Sequence, residues 1–588
     1  MLGGYMGKML FVNLSTGELK IEEPEESLYR DYMGGYGIGA RLLYSRMQPG
    51  ADPLGPDNIL GFGTGPLTGT PALFGNRYTV FAKSPLTGGW GDANSGGDFG
   101  PALKFAGFDA VLISGVSPKP VYLLLDAGKP SIKDASHLWG KDSNETEDIL
   151  REENGKKVQV ACIGPSGEKL SYISCVINNK GRAAGRSGLG AVMGAKRLKA
   201  VVAKGNLAVP VDDAAGFAAL RKEALKALGG PTADRFKKFG TCAGTGDNTR
   251  SGDAPVKNWG GVGVVDIPSA IEILNGENVV AHEAKKYGCW RCPVACGGVM
   301  AALNKDYQLE AGAHKPEYET MAAFGPMCLN DNVESLIVAN DICNRAGLDT
   351  ISAGATIAFA MECYENGLIN KQDTGGIELT WGNHRAMNAM LEKLAKREGF
   401  GDILADGVKI AAAKIGKNAA DFAIHIDGQE LPMHDAKLGA HFYPVYHYDA
   451  TPARHTQAFG EMHVLNSSGV CMFGNFVGNA AFMSRYLSLA TGREYSPEDL
   501  KRLNGRIHNL RHAFNLREGI NPKDRTFPDR GLGRPPQEAG PLAGKTVDVE
   551  GRTAKYLAAN GWDPATFKPL KQTLLDQGLD DVAEDLWD

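Results

Sequence analysis

The 588 residues carry 63 basic against 68 acidic side chains, a net charge of −5, with no long Lys/Arg run. That balance argues against a nucleic-acid partner. A hydrophobic content of 43% allows large cores, and ten cysteines in so long a chain do not resemble a secreted disulfide scaffold.

The opening MLGGYMGKMLFVNLSTGELKIEE runs straight into strand-like alternation around a Ser-Thr-Gly turn, and the longest apolar stretch, ISAGATIAFAME, is shorter than a spanning helix needs. A cytoplasmic protein without a membrane segment is expected. Residues 1 to 210 read as β-rich, with strand candidates MLFVNL, LKIEE, RYTVFAK, AVLISGV, PVYLLL, VQVACIG, LSYISCVI and LKAVVAKG. The 76 glycines, about twice the usual ~7%, crowd between Gly61 and Gly115 and between Gly164 and Gly194. Glycine lets backbone approach a ligand closely, which suits a phosphate-bearing cofactor and equally a domain of tight turns. PLTG occurs at Pro66–Gly69 and again at Pro85–Gly88, suggesting two similar ligand-facing turns. GRAAGRSGLGAVMGAKR lacks the G-K-[ST] of a P-loop and the spacing of a dinucleotide fingerprint. Its Arg182 and Arg186 nevertheless suit phosphate oxygens.

From Pro210 the period becomes helical. VDDAAGFAALRKEALKAL opens with N-cap candidates Asp212 and Asp213. KKYGCWRCPVACGGVM then holds Cys289, Cys292 and Cys296 as C-x2-C-x3-C. Zinc sites usually add a second knuckle or two histidines, and no second knuckle exists. A 4Fe–4S cluster takes four thiolates, and three here would need a distant fourth. Cys328, Cys343, Cys363 and Cys471 are the candidates. Cys343 shares an apolar helix face with Leu336, Ala339, Ile342 and Ala346, and Cys363 follows an apolar run, so both read as core. Cys471 lies in a Gly/Ser-rich turn whose N–H groups can face sulfur. The segments NRAGLD (Asn344–Asp349) and NSSGVC (Asn466–Cys471) share N-x-x-G-aliphatic-x, 466 − 344 = 122 residues apart. On pattern alone each is a helix end closed by glycine. GKNAADFAIHIDGQELP, near 416–432, breaks the helical region in two.

VNLSTGELKIEE, GPLTGT, KSPLTG, ANSGGDFGPALKFAGFDA, DASHLWGK, GRAAGRSGLGAVMGAKRLKA, GLDTISAG and KREGFGDILADG follow one another along nearly the whole chain. In these blocks the chain resembles the tungsten-containing aldehyde:ferredoxin oxidoreductase family. The resemblance implies an α+β fold. An N-terminal β-rich, bis-pterin-binding base domain (1–210) is followed by two mostly α-helical domains enclosing the cofactor. Residues 211–420 would carry the first pterin motif and the cysteine loop, and 421–588 the second motif, the fourth cluster cysteine and the active-site histidine. The implied cofactors are a tungsten bis-molybdopterin (tungstopterin), a 4Fe–4S cluster and Mg2+. The family's paired D-x-x-G-L grips resemble Asn344–Asp349 and Asn466–Cys471. Asn344, Leu348, Asp349, Asn466 and Val470 thereby become pterin contacts, and Cys471 joins Cys289, Cys292 and Cys296 on the cluster. Arg77, Asn94, Gly96, Arg182 and Ala183 resemble further cofactor contacts. Main-chain carbonyls of the Asn94-like and Ala183-like residues hold the family's magnesium between pterin phosphates, a ligand set that suits this ion. Glu319 in HKPEYETMAAFG and His455 in TPARHTQAFG resemble the active-site pair. Read alone, they are a solvated helix-face acid and a structural histidine.

The implied reaction turns an aldehyde and water into a carboxylic acid, two electrons and protons. Glu319 would act as general base, and His455 would hydrogen-bond the aldehyde oxygen. No flavin or nicotinamide site is recognisable. The expected partner is therefore ferredoxin or a ferredoxin-like polyferredoxin subunit, the latter with an FAD/NAD subunit. Asn344 and Asn466 depart from the usual aspartate and add a donor. Val338 and Asn388 stand where some members hold a subunit-bridging metal, so that metal and that dimer are not expected. The His455–Cys471 segment is shorter than in archaeal members, which would widen the substrate channel or free a face for another subunit. The alternatives are the tungsten catalytic subunit of a benzoyl-CoA-type aromatic ring reductase and a non-catalytic iron–sulfur electron-transfer subunit.

Overall fold

The computed structural model describes residues 2–588. Its opening is the expected hairpin: β1 (Met9–Asn13) pairs antiparallel with β2 (Glu18–Glu22). Asn13 Oδ1 accepts from Ser15 N–H at 3.0 Å, and Gly17 takes φ 78°, which closes the turn. With β3 (Leu60–Thr64), β4 (Tyr78–Lys83), β5 (Trp90–Ser95) and β6 (Ala110–Ser114) they form a six-stranded sheet ordered β2-β1-β6-β3-β4-β5. A second six-stranded sheet contains β7 (Val121–Asp126), β8 (Lys129–Asp134), β9 (Gln159–Cys162), β10 (Val176–Asn178), β11 (Arg182–Ala184) and β12 (Leu198–Lys204), ordered β11-β10-β9-β12-β7-β8. Phe62, Phe99, Val111, Leu123 and Val201 belong to one core shared by the two sheets. The edge strands β5 and β11 pack against each other, which brings Asn94 and Ala183 to the junction.

Two expectations change here. Of the LSYISCVI segment only Val176 and Ile177 are strand, in a strand that runs on to Asn178. The preceding backbone serves other partners: Ser171 Oγ donates to Ala405 O, and Cys175 N–H to Gly347 O at 2.8 Å. That stretch fastens the sheet to the helical layer instead. The two PLTG segments are both turns with glycine at φ 76°, Gly69 and Gly88, but no PLTG residue lines the central cavity described below.

The helices begin as the N-cap signals suggest. Asp213, rather than Asp212, caps Ala214–Ala227 by accepting from Gly216 N–H. Asn332 caps Val333–Ala346, which stops at left-handed Gly347. Asp349 then caps Thr350–Glu365, a helix buried on nearly every side, in keeping with its mostly apolar sequence. Met321, Leu336, Phe359, Leu391, Tyr443 and Trp562 share one large core in this region. The break near 416–432 folds into a small hairpin, His425–Ile426 against Gln429–Glu430. Among the described residues no helix is long and apolar enough to cross a membrane.

Candidate active site

A cavity of about 470 Å³ opens where β5 and β11 meet the helical layer. Eleven residues singled out from the sequence lie on its wall: Arg77, Asn94, Gly96, Arg182, Ala183, Arg186, Glu319, Asn344, Leu348, Asp349 and His455. Asn466, Val470 and the four cysteines Cys289, Cys292, Cys296 and Cys471 are not on that wall.

The sheet side of the cavity is rich in cationic donors. Arg77 donates to Asn94 Oδ1 at 3.3 Å and to Cys471 Sγ at 2.9 Å. Arg182 pairs with Glu317 at 3.1 Å and lies over the Tyr287 ring. Yet Arg77 Nε, Arg182 Nε and Nη2, and Asn344 Nδ2 are buried without a hydrogen-bond partner. Donors buried and unanswered cost a folded chain several kcal/mol in sum. Together they suit an anionic ligand with acceptor oxygens. Gly96 leaves room beside them: a side chain there would meet Cys289 Sγ at 3.0 Å and the Arg77 guanidinium at 3.4 Å. Arg186 behaves differently from the sequence expectation of a phosphate ligand. Its guanidinium donates to Ala453 O and Glu430 O and lies 3.1 Å from Asp349 Oδ2. It clamps chain segments together.

The cysteine loop connects two antiparallel strands, Glu283–Tyr287 and Gly297–Met300, with Tyr287 opposite Gly297. Cys471 starts the short helix Met472–Phe476, its N–H bound to Phe74 O at 3.1 Å. Burial first, then the neighbouring Cys471 and Cys289, push the Cys292 thiol up to about 12. Burial pushes Cys296 up to about 11, against the pull of Arg182 and with Cys289 and Cys471 adding to the rise. The four sulfurs thus feel one another. Cys328 instead faces Ala323 O and Gly354 O, and Cys343, wholly buried, is perturbed by burial and then by Asp349 and Asp341. One zinc ion would draw its sulfurs to within roughly 4 Å of each other, given Zn–S bonds of ~2.3 Å. Among the described residues the ligand atoms gathered within 4.8 Å belong to Glu319–His434–His455 and Asp449–His463–His508, not to the cysteines. No three of the cysteine sulfurs come that close, so the set is wider than a single zinc ion would draw together. Arg77 and Arg182 stand between it and the cavity, since Arg182 also feels Cys289 and Cys296.

On the helical side, Glu319 sits in the first turn of Tyr318–Phe324. Its Oε2 accepts from Met433 N–H at 3.0 Å. Its Oε1 is buried with no aligned hydrogen bond, 3.3 Å from His434 Nε2 and 3.5 Å from His455 Nε2. Burial raises the Glu319 carboxyl above its ordinary range, although His434, the Met433 N–H and Arg186 oppose the rise. His455 opens a 3-10 turn, His455–Ala458. The preceding Arg454 is fastened to Asp92, which aims the turn. Burial, then His434, Arg186 and Arg454, hold His455 well below the usual histidine value, so it is neutral. His434 had no sequence signal: it lies in an irregular loop, and tertiary packing alone brings it to Glu319. The departures noted in the sequence have plain places. Asn388 ties its helix, His384–Lys396, to Val333–Ala346 by donating to Ser335 O at 3.1 Å, and Val338 packs against the large core.

The outer wall is aromatic. Phe236, Phe459, Phe473 and Phe476 line it, with Phe236–Phe473 and Phe459–Phe476 centroids at 5.3 and 5.4 Å.

A family model described as aldehyde ferredoxin oxidoreductase, N-terminal domain, matches residues 9–205. A second, aldehyde ferredoxin oxidoreductase, domains 2 & 3, matches 219–463 and 458–579. The chain is 38% identical to the tungsten-containing aldehyde ferredoxin oxidoreductase of Pyrococcus furiosus, over 95% of this chain and 96% of that protein. It is 37% identical to the protein of the same name from Thermococcus kodakarensis, with the same coverage. A Pyrococcus furiosus protein named aliphatic sulfonate oxidoreductase, WOR-like subunit, is 29% identical over 99% of this chain and 98% of its own length. Among solved structures, the active site complex BamBC of benzoyl coenzyme A reductase with 1,5 dienoyl-CoA superposes with a TM-score of 0.83. It covers 100% of this chain and 98% of that one at 24% identity, which speaks for the fold alone.

Proposed function

Because the chain belongs to the aldehyde ferredoxin oxidoreductase family, we propose that it oxidises aldehydes to carboxylic acids and delivers the electrons through a 4Fe–4S cluster to ferredoxin or a ferredoxin-like subunit. It is an oxidoreductase of a tungsten-containing family, and that membership implies a tungsten–pterin cofactor. The observation that carries the substrate chemistry is Glu319. One carboxylate oxygen is pinned by Met433 N–H, and the other is left free at the cavity wall between two histidines. A half-anchored, buried carboxylate is well placed to accept a proton from an attacking water.

When bound, the tungstopterin and cluster supply two-electron oxidation and single-electron export. The chain supplies the rest. The free donors of Arg77, Arg182 and Asn344 would answer the pterin's phosphates and ring acceptors. Edge strands β5 and β11 would offer the carbonyls of Asn94 and Ala183 to Mg2+, since edge strands keep a row of main-chain groups for another partner. Cys289, Cys292, Cys296 and Cys471 would hold the cluster, and Arg77, hydrogen-bonded to Cys471, would link it to the cavity. The aromatic outer wall gives an uncharged aldehyde a path from which charged solutes are disfavoured. Neutral His455 can donate to the aldehyde oxygen as negative charge builds there.

The test uses purified holoenzyme. Elemental analysis should give about four irons and one tungsten per chain with no stoichiometric zinc. An aldehyde should drive viologen reduction. Glu319→Gln should lower kcat by ~10²–10⁴ with metal contents unchanged. Stoichiometric zinc with negligible iron would remove the cluster, and a Glu319→Gln variant of near-full activity would remove the base.

A further inference from the structure

Two histidines face the same carboxylate oxygen, and only one of them is backed by an acid. His434 Nε2 lies 3.3 Å from Glu319 Oε1, and its Nδ1 lies 2.6 Å from Asp253 Oδ2. His455 Nε2 lies 3.5 Å from Glu319 Oε1, but Arg186 and Arg454 are its charged neighbours. A neutral imidazole at position 434 would aim a lone pair at one carboxylate or the other. An imidazolium carries an N–H on each side, one bound to Asp253 and one facing Glu319 as the partner of an ion pair. The ring is also fixed in place. Phe442 stacks on it at 5.5 Å and 26°, Tyr318 approaches at 4.8 Å, and Tyr446 OH donates to His434 O at 3.1 Å. The two loops are joined by main chain as well, with Asp435 N–H donating to Asp253 O at 2.8 Å. Asp253 is not on the cavity wall, so it touches neither substrate nor cofactor.

We propose that Asp253 and His434 are positioning residues for the base: Asp253 holds His434 as an imidazolium, and that cation keeps Glu319 ionised with Oε1 aimed into the cavity. The proposal rests on Glu319 being the base of the function proposed above. The charge environment agrees. Burial works to depress His434, but the Asp253 hydrogen bond and the charges of Glu319 and Asp253 outweigh it and set it above the ordinary value. The other groups facing the pair are Arg186 and His455 beside Glu319, Asp435, which is paired with Lys437 at 2.7 Å, and His441. Without the His434 cation, burial of Glu319, reinforced by the Asp253 charge, is opposed by Met433 N–H and Arg186, so the carboxylate protonates at higher pH. The acid limb of kcat/KM must then move up.

The experiment compares wild type, His434→Gln and Asp253→Asn as holoenzymes. In His434→Gln the acid limb should move up by roughly one pH unit, the scale of one close opposite charge. Rates well below the limb then fall about tenfold and rates well above it change little, with KM and tungsten and iron contents little changed. Asp253→Asn should shift the limb the same way but less, because it weakens the His434 cation and at the same time removes a negative charge that raises Glu319. A limb superimposable on wild type in both variants would overturn the proposal. A second readout needs no substrate: hydrogen–deuterium exchange at each histidine C2, followed by mass spectrometry across pH. His434 should titrate above ordinary histidine and fall in Asp253→Asn, while His455 stays far below in both. A His434 midpoint at or below the ordinary value, unmoved by Asp253→Asn, would overturn the imidazolium whatever the substrate is. Stoichiometric zinc binding lost in His434→Gln would likewise replace the cation by a metal. Failure of any aldehyde to turn over, with the exchange result intact, would strike the proposed reaction and leave the pair standing.

Discussion

The helix Val333–Ala346 stops at Gly347 with φ 73°, and the helix Met462–Ser468 stops at Gly469 with φ 83°. Both N-x-x-G segments therefore turn the chain by the same left-handed device. They dock on different sheets. Gly347 O accepts from Cys175 N–H, Asp349 N–H donates to Ile173 O, and Leu348 bridges Ser174, all ahead of β10 in the second sheet. Ser468 O accepts from Leu67 N–H, and Gly469 O from Arg77 N–H, both between β3 and β4 of the first sheet. The last residue of each segment then does different work. Asp349 caps the next helix and meets Arg186, whereas Cys471 accepts from Arg77 and joins the cysteine loop. A shared backbone turn thus carries two chemistries, selected by one side chain. Each sheet receives one segment, a doubling that accords with the bis-pterin cofactor implied by the sequence resemblance.

The largest effect should come from breaking that final side chain. Cys471→Ala should remove or degrade the cluster, and aldehyde-driven electron export should fall to background. Cys343→Ala, on the helix that leads into the other segment, should leave the reduced EPR spectrum and the iron content intact, because that sulfur is wholly buried with Asp349 and Asp341, not the loop cysteines, as its charged neighbours. Its cost should be stability alone, about 1–2 kcal/mol for truncating a small buried side chain. The reverse pattern would place the fourth ligand at Cys343 and dissolve the contrast.

Much of this contrast was legible in the sequence and some was not. A glycine following a periodic helix encodes its own backbone, so both helix ends could be read directly. The α+β division was readable too, because the helical period sets in after Pro210. β3 and β5 escaped because LGFGT and WGDANS are built largely of Gly, Asp, Asn and Ala, which are depleted in strands, unlike the equally buried YTVFAK of β4. Arg186 reads as a phosphate ligand in its glycine-rich run, yet its donors meet carbonyls that only tertiary packing delivers. His434 and Asp253 were invisible for the same reason. A loop histidine acquires a role only when a distant acid arrives at each ring nitrogen.

A smaller effect should separate the two glycines. Alanine at either position bears the left-handed penalty of about 1–2 kcal/mol. The surroundings differ. A side chain at 347 would meet Gly164 N at 2.9 Å, a modest shift. At 469 it would meet Thr68 Oγ1 at 2.0 Å, and that hydroxyl both accepts from Gly65 N–H and donates to Arg77 O. Gly469→Ala should therefore cost about 1–2 kcal/mol more than Gly347→Ala, the value of the disrupted hydrogen bonds. Urea midpoints of the two variants measure the gap. Equal midpoints would mean that Thr68 turns aside freely and that the second segment is no more tightly docked than the first.

The smallest effect concerns Asp349, the counterpart of Cys471. Its Oδ1 accepts from Ile351 N–H at 3.1 Å, and its Oδ2 accepts from Ser352 Oγ at 2.8 Å and meets Arg186. Two functions share one carboxylate: an N-cap, which asparagine can also perform, and a charge, which it cannot. Arg186 keeps its bonds to Ala453 O and Glu430 O in any variant, so loss of the charge does not strand it. Asp349→Asn should therefore be the milder change. Asp349→Ala should lie about 1 kcal/mol below it in stability, the usual worth of an N-cap. Iron content should be normal in both, in contrast to Cys471→Ala. If asparagine proved as costly as alanine, the ion pair with Arg186 would be the purpose of Asp349. The first segment, like the second, would then be fastened by an arginine at its last residue.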